Sequence, residues 1–481
     1  MEKEGKRKDL GITAEKDEFS EWYQQLIIKA DLADYSEVSG CLVFKPTAYA
    51  IWEIIKEEVD KRFKKLGIKN CYFPLFIPES LLKKEATHLK GFSPEVAWVT
   101  EAGEKKLAER LAIRPTSETI MYVSYSKWIR SWRDLPLKLN QWNNVVRWEF
   151  KHPVPFLRTR EFLWNEGHTV YATKEEALAE EKQILGIYKE ILENYMAVAS
   201  FVSRKTKSET FPGAEFTKAL ECVLPNGKVV QGPDFHHDGQ IFSKAFNIRF
   251  LNKEGKHEYA WQNTFAITTR MLGVMFAIHG DNKGLIIPPR VAPTQVVIVP
   301  ILFDETKNKV LKKAKQLEKL LQNYRVMLDD RQEYSAGWKF NEWELKGVPL
   351  RIEIGPKDVE KNQAVLVRRD TGKKKIVKIK ELKKEVGKLL EDIQANLLKR
   401  SKEMLKNSMV VTKNMDELIT NIINKKIAIS EWCGEKECED WIKTKTGGAK
   451  IIGINEEAKA KGKCIYCGKK ANYVVWIGKS Y

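Results

Sequence analysis

The stretch VVRWEFKHPVPFLRTREFLWNEGH, residues 145–168, carries the most information about the fold. We interpret it as a strand, a loop and a second strand, with the first strand over residues 144–150. Side chains alternate between the two faces of a strand, so Arg147 and Glu149 are predicted to share one face. Arg158 is then expected at the loop. The stretch predicts a β-hairpin that brings cationic and anionic groups together.

The residue types of this hairpin suit a nucleotide. An arginine fork can hold a carboxylate or an α-phosphate by two parallel hydrogen bonds, and a carboxylate can accept one from an adenine amino group. Phe162 can stack on the base. A surface hairpin with several ion pairs would contain the same residue types. These residues by themselves are therefore compatible with a nucleotide site and with a purely structural hairpin.

Composition and charge limit the class of protein. The chain has 481 residues, 43% of them apolar, which is enough for two to four globular domains. Its 83 basic and 65 acidic residues give a net charge of +18, which favours a polyanionic partner but does not require a nucleic acid. Residues 1–10 lack the apolar core of a signal peptide, and the apolar run at residues 296–303 is too short to span a bilayer. We therefore expect a cytoplasmic protein with no membrane partner.

The residue pattern predicts three domains. Residues 1–290 mix strand-like and helical stretches and indicate one large α+β domain, which ends in a cluster of prolines. Residues 291–400 alternate strands and helices, as in a small α/β domain. The expected elements there are strands at 295–300, 324–328 and 350–354, a helix with Val310, Ala314, Leu317 and Leu321 buried, and a long helix over 381–406. Residues 401–481 form the last domain.

A lysine-rich hairpin is predicted near the end of the second domain. Its turn is Asp370-Thr371-Gly372, and lysines crowd the second arm. Such a run can be a solvated edge that prevents sheet-to-sheet association, or it can contact RNA. The sequence leaves these alternatives open.

Four cysteines near the C-terminus have the spacing of a metal site. Four residues lie between Cys433 and Cys438, two lie between Cys464 and Cys467, and 25 lie between the two pairs. Two such pairs can surround one tetrahedral ion, which predicts a structural zinc site with no open coordination position. Four unrelated thiols, or a redox pair at Cys464 and Cys467, remain the alternatives.

The chain resembles a known family in five blocks. Residues 147–168 resemble motif 2 of the class II aminoacyl-tRNA synthetases, GLIIPPR at 284–290 resembles motif 3, and GIKNCYFP at 67–74 resembles motif 1, which lies at the dimer interface in this class. RPTSET at 114–119 resembles the TxE segment of the prolyl-tRNA synthetase family, and 160–168 resembles its form of motif 2. The similarity covers nearly the whole chain. The four-cysteine module and the GKSY ending are typical of the eukaryotic and archaeal-like branch.

The resemblance implies a fold and an activity. The expected fold is α+β multidomain: a catalytic core on an antiparallel sheet (1–290), an α/β anticodon-binding domain (291–400) and a small zinc-binding domain (401–481). The implied enzyme is a proline–tRNA ligase that activates L-proline with ATP and transfers the prolyl group to the 3′ end of tRNA(Pro), releasing pyrophosphate and AMP. ATP as substrate, Mg²⁺, a structural Zn²⁺ and a homodimer are implied with it.

The resemblance also assigns residues. The implied proline site consists of Thr116, Glu118, Arg147, Trp164, Glu166, His168 and His236. The implied ATP site consists of Arg147, Glu149, Arg158, Thr159, Phe162, Gln231, Thr268, Arg270 and Arg290. Arg147 and Arg290 are the implied catalytic pair, expected to meet in one cleft, with Arg290 stacked on adenine. Considered alone, the two histidines could equally be buried structural residues.

The sequence departs from the family at two places. Asp234 and Phe235 stand where Thr-Ser is usual, with Asp238 where Leu is usual, and a carboxylate near a triphosphate adds repulsion unless Mg²⁺ or an arginine lies between. Phe265 and Ala266 stand where Trp-Gly is usual. Two other functions stay open: a class II synthetase for threonine, serine, glycine or histidine, and a non-catalytic, synthetase-like RNA-binding or scaffold protein.

The spacing of the motifs also predicts how accurately the amino acid is chosen. About 120 residues separate His168 from Arg290, which leaves no room for the large editing insertion of bacterial-type prolyl enzymes. A proline-sized site cannot exclude alanine by size, because a smaller substrate loses only contacts. We therefore expect misactivation of alanine without cleavage by the same chain.

Overall fold

The computed structural model describes residues 11–88, 95–149 and 152–481. Residues 1–10, which are predicted to contain no signal peptide, lie outside these ranges. Residue 150, the predicted end of a strand, lies outside them too. No helix in the described ranges is long and apolar enough to cross a membrane.

The first part of the chain is built on an antiparallel sheet with helices on both faces. Its helices are α1 Phe19–Lys29, α2 Pro46–Lys65, α3 Glu79–His88, α4 Glu118–Trp128, α5 Lys174–Glu190, α6 Ile241–Phe246 and α7 Arg270–His279. Its strands are β1 Ala33–Tyr35, β2 Leu42–Phe44, β3 Lys69–Asn70, β4 Phe76–Pro78, β5 Trp98–Ala102, β6 Lys105–Ile113, β7 Leu137–Val146, β8 Glu161–Tyr171, β9 Phe201–Arg204, β10 Phe216–Val223, β11 Val229–Gly239, β12 Arg249–Leu251, β13 His257–Tyr259 and β14 Trp261–Ala266.

The order of the central strands is β9-β10-β11-β14-β8-β7-β3, antiparallel except for the parallel edge pair of β7 and β3. Period-two alternation divides each strand between two environments. Phe235 and Phe265 face the helices, where Phe265 packs 5.4 Å from the ring of Phe63 in α2. His236 and His168 flank Thr264 in register and point to the opposite face. The sheet therefore presents its polar residues together on the second face.

The second part is the α/β domain expected from the strand and helix pattern. It contains β15 Val296–Pro300, α8 Lys307–Leu320, β16 Val326–Leu328, α9 Ala336–Leu345, β17 Leu350–Ile354, α10 Pro356–Glu360, β18 Gln363–Arg368, β19 Lys374–Lys378 and α11 Leu382–Ser408. The strand order is β16-β15-β17-β18-β19. The predicted lysine hairpin is confirmed as β18 and β19, with Gly372 in the left-handed region at φ 68°. Helix α11 continues through residue 400, where the sequence placed the next boundary.

The third part contains β20 Met409–Val411, α12 Met415–Ile423, β21 Ile427–Trp432, α13 Lys436–Lys445, β22 Lys450–Asn455 and β23 Tyr473–Gly478. These strands pair in the order β20-β21-β23-β22, and β22 then joins β9 through Ile454 and Arg204. The C-terminal strands therefore extend the catalytic sheet to eleven strands. Antiparallel-rich sheets flanked by helices confirm the predicted fold class.

Candidate active site

A cavity of about 460 Å³ opens on the polar face of the catalytic sheet. Strands β8, β11 and β14 form its floor, and the segment 208–212 forms part of its rim. Most residues that the sequence assigned to proline and ATP line this one cavity: Thr116, Glu118, Arg147, Thr159, Phe162, Trp164, Glu166, His168, Gln231, His236, Thr268 and Arg270.

Three assigned residues lie elsewhere. Arg158 borders a smaller adjoining cavity of about 180 Å³, whose lining also includes Gln231 and Arg270. Glu149 is exposed in a turn, because β7 ends at Val146. The prediction of a strand over 144–150 with Arg147 and Glu149 on one face was therefore wrong.

The expectation that Arg147 and Arg290 meet in one cleft was also wrong. Arg290 donates from Nη2 to Glu391 of α11 at 2.8 Å and from Nη1 to the carbonyl of Asn194 at 3.1 Å. The segment leading to it connects two domains, since the Leu285 and Ile287 amides donate to carbonyls of residues 345 and 347. Arg270, at the start of α7, is the arginine that shares the cavity with Arg147.

The carboxylate end of the cavity is built around Glu166. Its Oε1 accepts from the Ser117 amide at 2.9 Å, and its Oε2 accepts from the Ser117 hydroxyl at 2.5 Å and from Gln141 and Asn143 at 3.0 Å. Thr116 donates to Glu118 at 2.5 Å at the N-terminus of α4. Two buried carboxylates therefore stand side by side, and Glu166 has its oxygens filled by protein donors.

Glu166 is held ionised by these donors. Burial alone would raise its pKa, but His168 and the hydrogen bonds from Ser117 and Asn143 outweigh burial and lower the pKa well below the ordinary glutamate value. A lowered folded pKa stabilises the fold above the unfolded pKa of about 4.3, and this stabilisation is lost as the pH falls through the folded pKa.

We expect Glu166→Gln to reduce the free energy of unfolding at pH 7 by about 1 to 3 kcal/mol, the size of lost hydrogen bonds to a charged group. The difference from the unchanged protein should shrink as the pH falls below 4.3, because Glu166 is protonated in the unfolded chain before it is protonated in the folded one. Denaturant unfolding at several pH values measures it, with the exposed Glu104→Gln as the control. A loss that stays the same down to pH 3 would contradict an ionised Glu166.

The two histidines lie on β8 and β11, on either side of β14 in the cavity floor. His168 Nδ1 is 3.1 Å from the Tyr122 hydroxyl, and His236 Nδ1 is 2.7 Å from the Thr217 hydroxyl. Burial lowers the pKa of His236, which favours the neutral imidazole. Both rings are hydrogen-bonded as structural histidines would be, and both also face the cavity.

The cationic end contains two arginines that are anchored to carbonyls. Arg147 donates from Nε to the Pro115 carbonyl at 3.0 Å, and its guanidinium lies 5.5 and 5.2 Å from the rings of Phe162 and Trp164. Arg270 donates to the carbonyls of residues 157 and 231. Burial and the charge of Arg147 lower the pKa of Arg270, but a guanidinium stays charged in proteins. This pairing of half-buried cations favours an anionic ligand.

The rim of the cavity was missed by sequence reasoning. Ser208, Glu209 and Phe211 line it from a segment without a recognisable motif. Thr217 was missed too, although its place opposite His236 could have been found by aligning β10 with β11. Of the departures, Asp234, Phe265 and Ala266 line the cavity, and Phe265 packs over Gly167, whose missing Cβ leaves room for the ring.

The four cysteines come together at the far end of the extended sheet. Their sulfur atoms all lie within 4.8 Å of one another, with Cys433 Sγ 3.5 Å from Cys438 and 3.8 Å from Cys467. Tetrahedral zinc with Zn–S bonds of about 2.3 Å requires sulfur separations of about 3.8 Å. Contacts across the two pairs favour one shared centre over a separate pair at Cys464 and Cys467, and the donor set fits zinc.

Family models match three parts of the chain. Residues 98–279 match the "tRNA synthetase class II core domain (G, H, P, S and T)", residues 295–389 match an "Anticodon binding domain", and residues 415–481 match "Prolyl-tRNA synthetase, C-terminal". A proline–tRNA ligase from Alkaliphilus oremlandii is 48% identical over 483 residues, covering 100% of both chains. The chain belongs to the prolyl-tRNA synthetase family.

Two further members of the prolyl-tRNA synthetase family show how the chain relates to longer and to solved proteins. A bifunctional glutamate/proline–tRNA ligase from Cricetulus griseus is 46% identical over 99% of this chain and 33% of its own length. The crystal structure of the prolyl-tRNA synthetase from Cryptosporidium parvum, complexed with halofuginone and AMPPNP, superposes with a TM-score of 0.94. It is 44% identical, covering 98% of this chain and 100% of that one. This chain is thus an enzyme of the class II synthetase fold.

Proposed function

We propose that the chain activates L-proline with ATP and transfers the prolyl group to the 3′ end of tRNA(Pro). The observation that carries the proposal is the shared cavity, whose lining combines Arg147 and Arg270 with the carboxylates Glu118 and Glu166. Proline and ATP bring the matching groups: a secondary ammonium for the carboxylates, and a carboxylate and phosphates for the arginines.

The amino acid occupies the end near α4. Glu118 pairs with the ammonium group of proline, and Thr116 orients Glu118 through their 2.5 Å hydrogen bond. Trp164 and the two histidines enclose the ring. Glu166 acts mainly through its neighbours, because its oxygens already accept from Ser117, Gln141 and Asn143.

ATP occupies the end near Arg270. Phe162 stacks on the adenine, Arg147 and Arg270 hold phosphates, and Gln231, Thr159 and Thr268 supply polar contacts. In the first step a proline carboxylate oxygen bonds to the α-phosphorus as the bond to pyrophosphate breaks, giving prolyl adenylate. In the second step the tRNA 3′-terminal hydroxyl bonds to the prolyl carbonyl carbon, losing its proton, and AMP leaves. The arginines stabilise the developing negative charge, and bound Mg²⁺ supplies further charge neutralisation on the phosphates.

The other parts of the chain are proposed to serve the tRNA and the assembly. Residues 291–400 bind the anticodon, and the exposed lysines of β19 suit a phosphate backbone. Residues 401–481 hold zinc through the four cysteines. Tyr72 is 69% exposed beside the edge strand β3, as a residue of a homodimer interface would be. The homodimer is proposed to act in the cytoplasm.

Proline-dependent exchange of pyrophosphate into ATP tests the proposal directly. Exchange with proline, and little with threonine, serine, glycine or histidine, supports it. A different preferred amino acid would reassign the enzyme within its class. No exchange with any of them, together with retained tRNA binding, would instead favour a non-catalytic RNA-binding protein.

Alanine is expected to be activated without correction. The stretch from β8 to α7 is filled by α5, β9 to β11, α6 and a short hairpin, which supports the absence of an editing insertion. Proline exceeds alanine by two ring methylenes, so kcat/KM for exchange should favour proline by about 10²- to 10⁴-fold. We expect no faster loss of alanyl adenylate when tRNA is added. Exchange and adenylate hydrolysis with and without tRNA measure this, and rapid tRNA-dependent clearance by this chain alone would contradict it.

A further inference from the structure

Asp234 has a carboxylate oxygen without a partner inside the cavity. It lies on β11 between Gln231, on the nucleotide side, and His236, on the amino-acid side. Its Oδ2 accepts from Gln231 Nε2 at 2.9 Å, whereas Oδ1 is buried and makes no hydrogen bond within the described part of the chain. A buried acceptor of this kind requires a ligand, a water or an ion to satisfy it.

His236 does not neutralise this carboxylate. The Phe211 amide donates to the Thr217 hydroxyl, which is then free to donate to His236 Nδ1 and to leave Nε2–H on the side of Asp234. Nε2 is 3.6 Å from Oδ1, too far for a hydrogen bond.

The neighbouring arginines are held by other groups. Arg147 and Arg270 donate to backbone carbonyls, and although Arg270 is near enough to attract Asp234 electrostatically, Asp234 Oδ1 accepts no hydrogen bond from either of them. The three other cavity carboxylates each accept from a protein donor: Glu118 from Thr116, Glu166 from Ser117, Gln141 and Asn143, and Glu209 from Lys450. Asp234 thus adds negative charge at the place where two anionic substrates would meet, which would oppose their binding.

We propose that Asp234 Oδ1 is a ligand of the divalent cation that accompanies the nucleotide. Mg²⁺ is bound in proteins by one or two carboxylates together with substrate phosphates, and it keeps several waters. A carboxylate with one oxygen held by Gln231 and the other without a hydrogen-bond partner supplies a protein ligand for such an ion. The inference rests on the proposed ATP site and assigns a role to a residue at which the chain departs from its family.

Equilibrium binding of AMPPNP, measured by calorimetry with and without Mg²⁺, tests the role without turnover. In Asp234→Asn, the tightening of AMPPNP binding by Mg²⁺ should be smaller than in the unchanged protein by about tenfold or more, the size of effect that metal-site substitutions cause. Without Mg²⁺ the variant should bind AMPPNP at least as tightly as the unchanged protein, because a repulsive charge is gone. Glu215→Gln, whose carboxylate lies outside the cavity near Lys174, is the matched control and should leave the Mg²⁺ dependence unchanged.

Electron paramagnetic resonance of the Mn²⁺–AMPPNP complex gives a second readout, since loss of a protein ligand should change the Mn²⁺ spectrum in Asp234→Asn. An unchanged Mg²⁺ dependence and spectrum would overturn the inference. Weaker proline binding with unchanged Mg²⁺ dependence would overturn it too and would assign Asp234 to the ammonium group. Mg²⁺-dependent AMPPNP binding without proline-dependent exchange would refute the proposed function while leaving this inference standing.

Discussion

Arg270→Lys is expected to lower kcat/KM for proline-dependent pyrophosphate exchange by about 10²-fold or more, as removal of one fixed transition-state donor does. Lysine keeps the charge but cannot form the planar fork that holds a phosphate by two parallel hydrogen bonds. Arg270 lines the cavity with Arg147, and two backbone carbonyls fix its guanidinium. The expected loss therefore appears in the first chemical step.

Arg290→Lys is the matched control. Its side chain is 41% exposed and pairs with Glu391, so the exchange rate should stay within about threefold, as expected of a surface ion pair. Circular dichroism and thermal unfolding of both variants separate lost chemistry from lost folding. A large loss in Arg290→Lys with an active Arg270→Lys would restore the assignment made from the sequence and contradict the geometry.

Cys433→Ser is expected to destabilise the C-terminal module by several kcal/mol, because structural zinc contributes roughly 10 to 16 kcal/mol of binding free energy to small domains. Bound zinc, measured by atomic emission, should fall from one per chain towards none. Hydrogen exchange should show lost protection in β21, β22 and β23. Cys41→Ser, which changes a cysteine outside the cluster, should retain both zinc and protection.

The same substitution should also reduce exchange activity, because the module holds the rim of the cavity. Glu439, next to Cys438 in α13, accepts from Thr206 at 2.9 Å and from Ser208 at 2.6 Å. Ser208 lines the cavity, so loosening α13 removes a support of the rim. Full stability and activity in a zinc-free protein would contradict both expectations.

The parts of the fold and site that are local in sequence could be predicted. The residues within the hairpin around Glu166, within the Thr116 to Glu118 block and within each cysteine pair are close together in sequence. The structure brings the hairpin and the Thr116 to Glu118 block to one cavity. The assignment of these residues to proline or to ATP stays a proposal.

What could not be predicted depends on contacts distant in sequence. The apolar segment 284–290 ends in an arginine, as a strand entering the cleft would, but its amides pair with residues 345 and 347 of the next domain. Glu149 was misplaced because β7 stops at Val146, after which the Trp148 amide donates to the carbonyl of Glu95. The rim at 208–212 is held by hydrogen bonds from Thr206 and Ser208 to Glu439, which is more than 200 residues away in sequence.

The pairing of β22 with β9 has a consequence for folding of the chain during translation. Strand β9 is an edge until residues near Ile454 are synthesised, so the nascent chain exposes unpaired backbone amides and carbonyls through most of translation. Release from the ribosome closes that edge, because the strands that cover it are among the last to emerge. A ribosome stalled before residue 450 should therefore carry a chain that chaperones bind and proteases cut near residues 201–204.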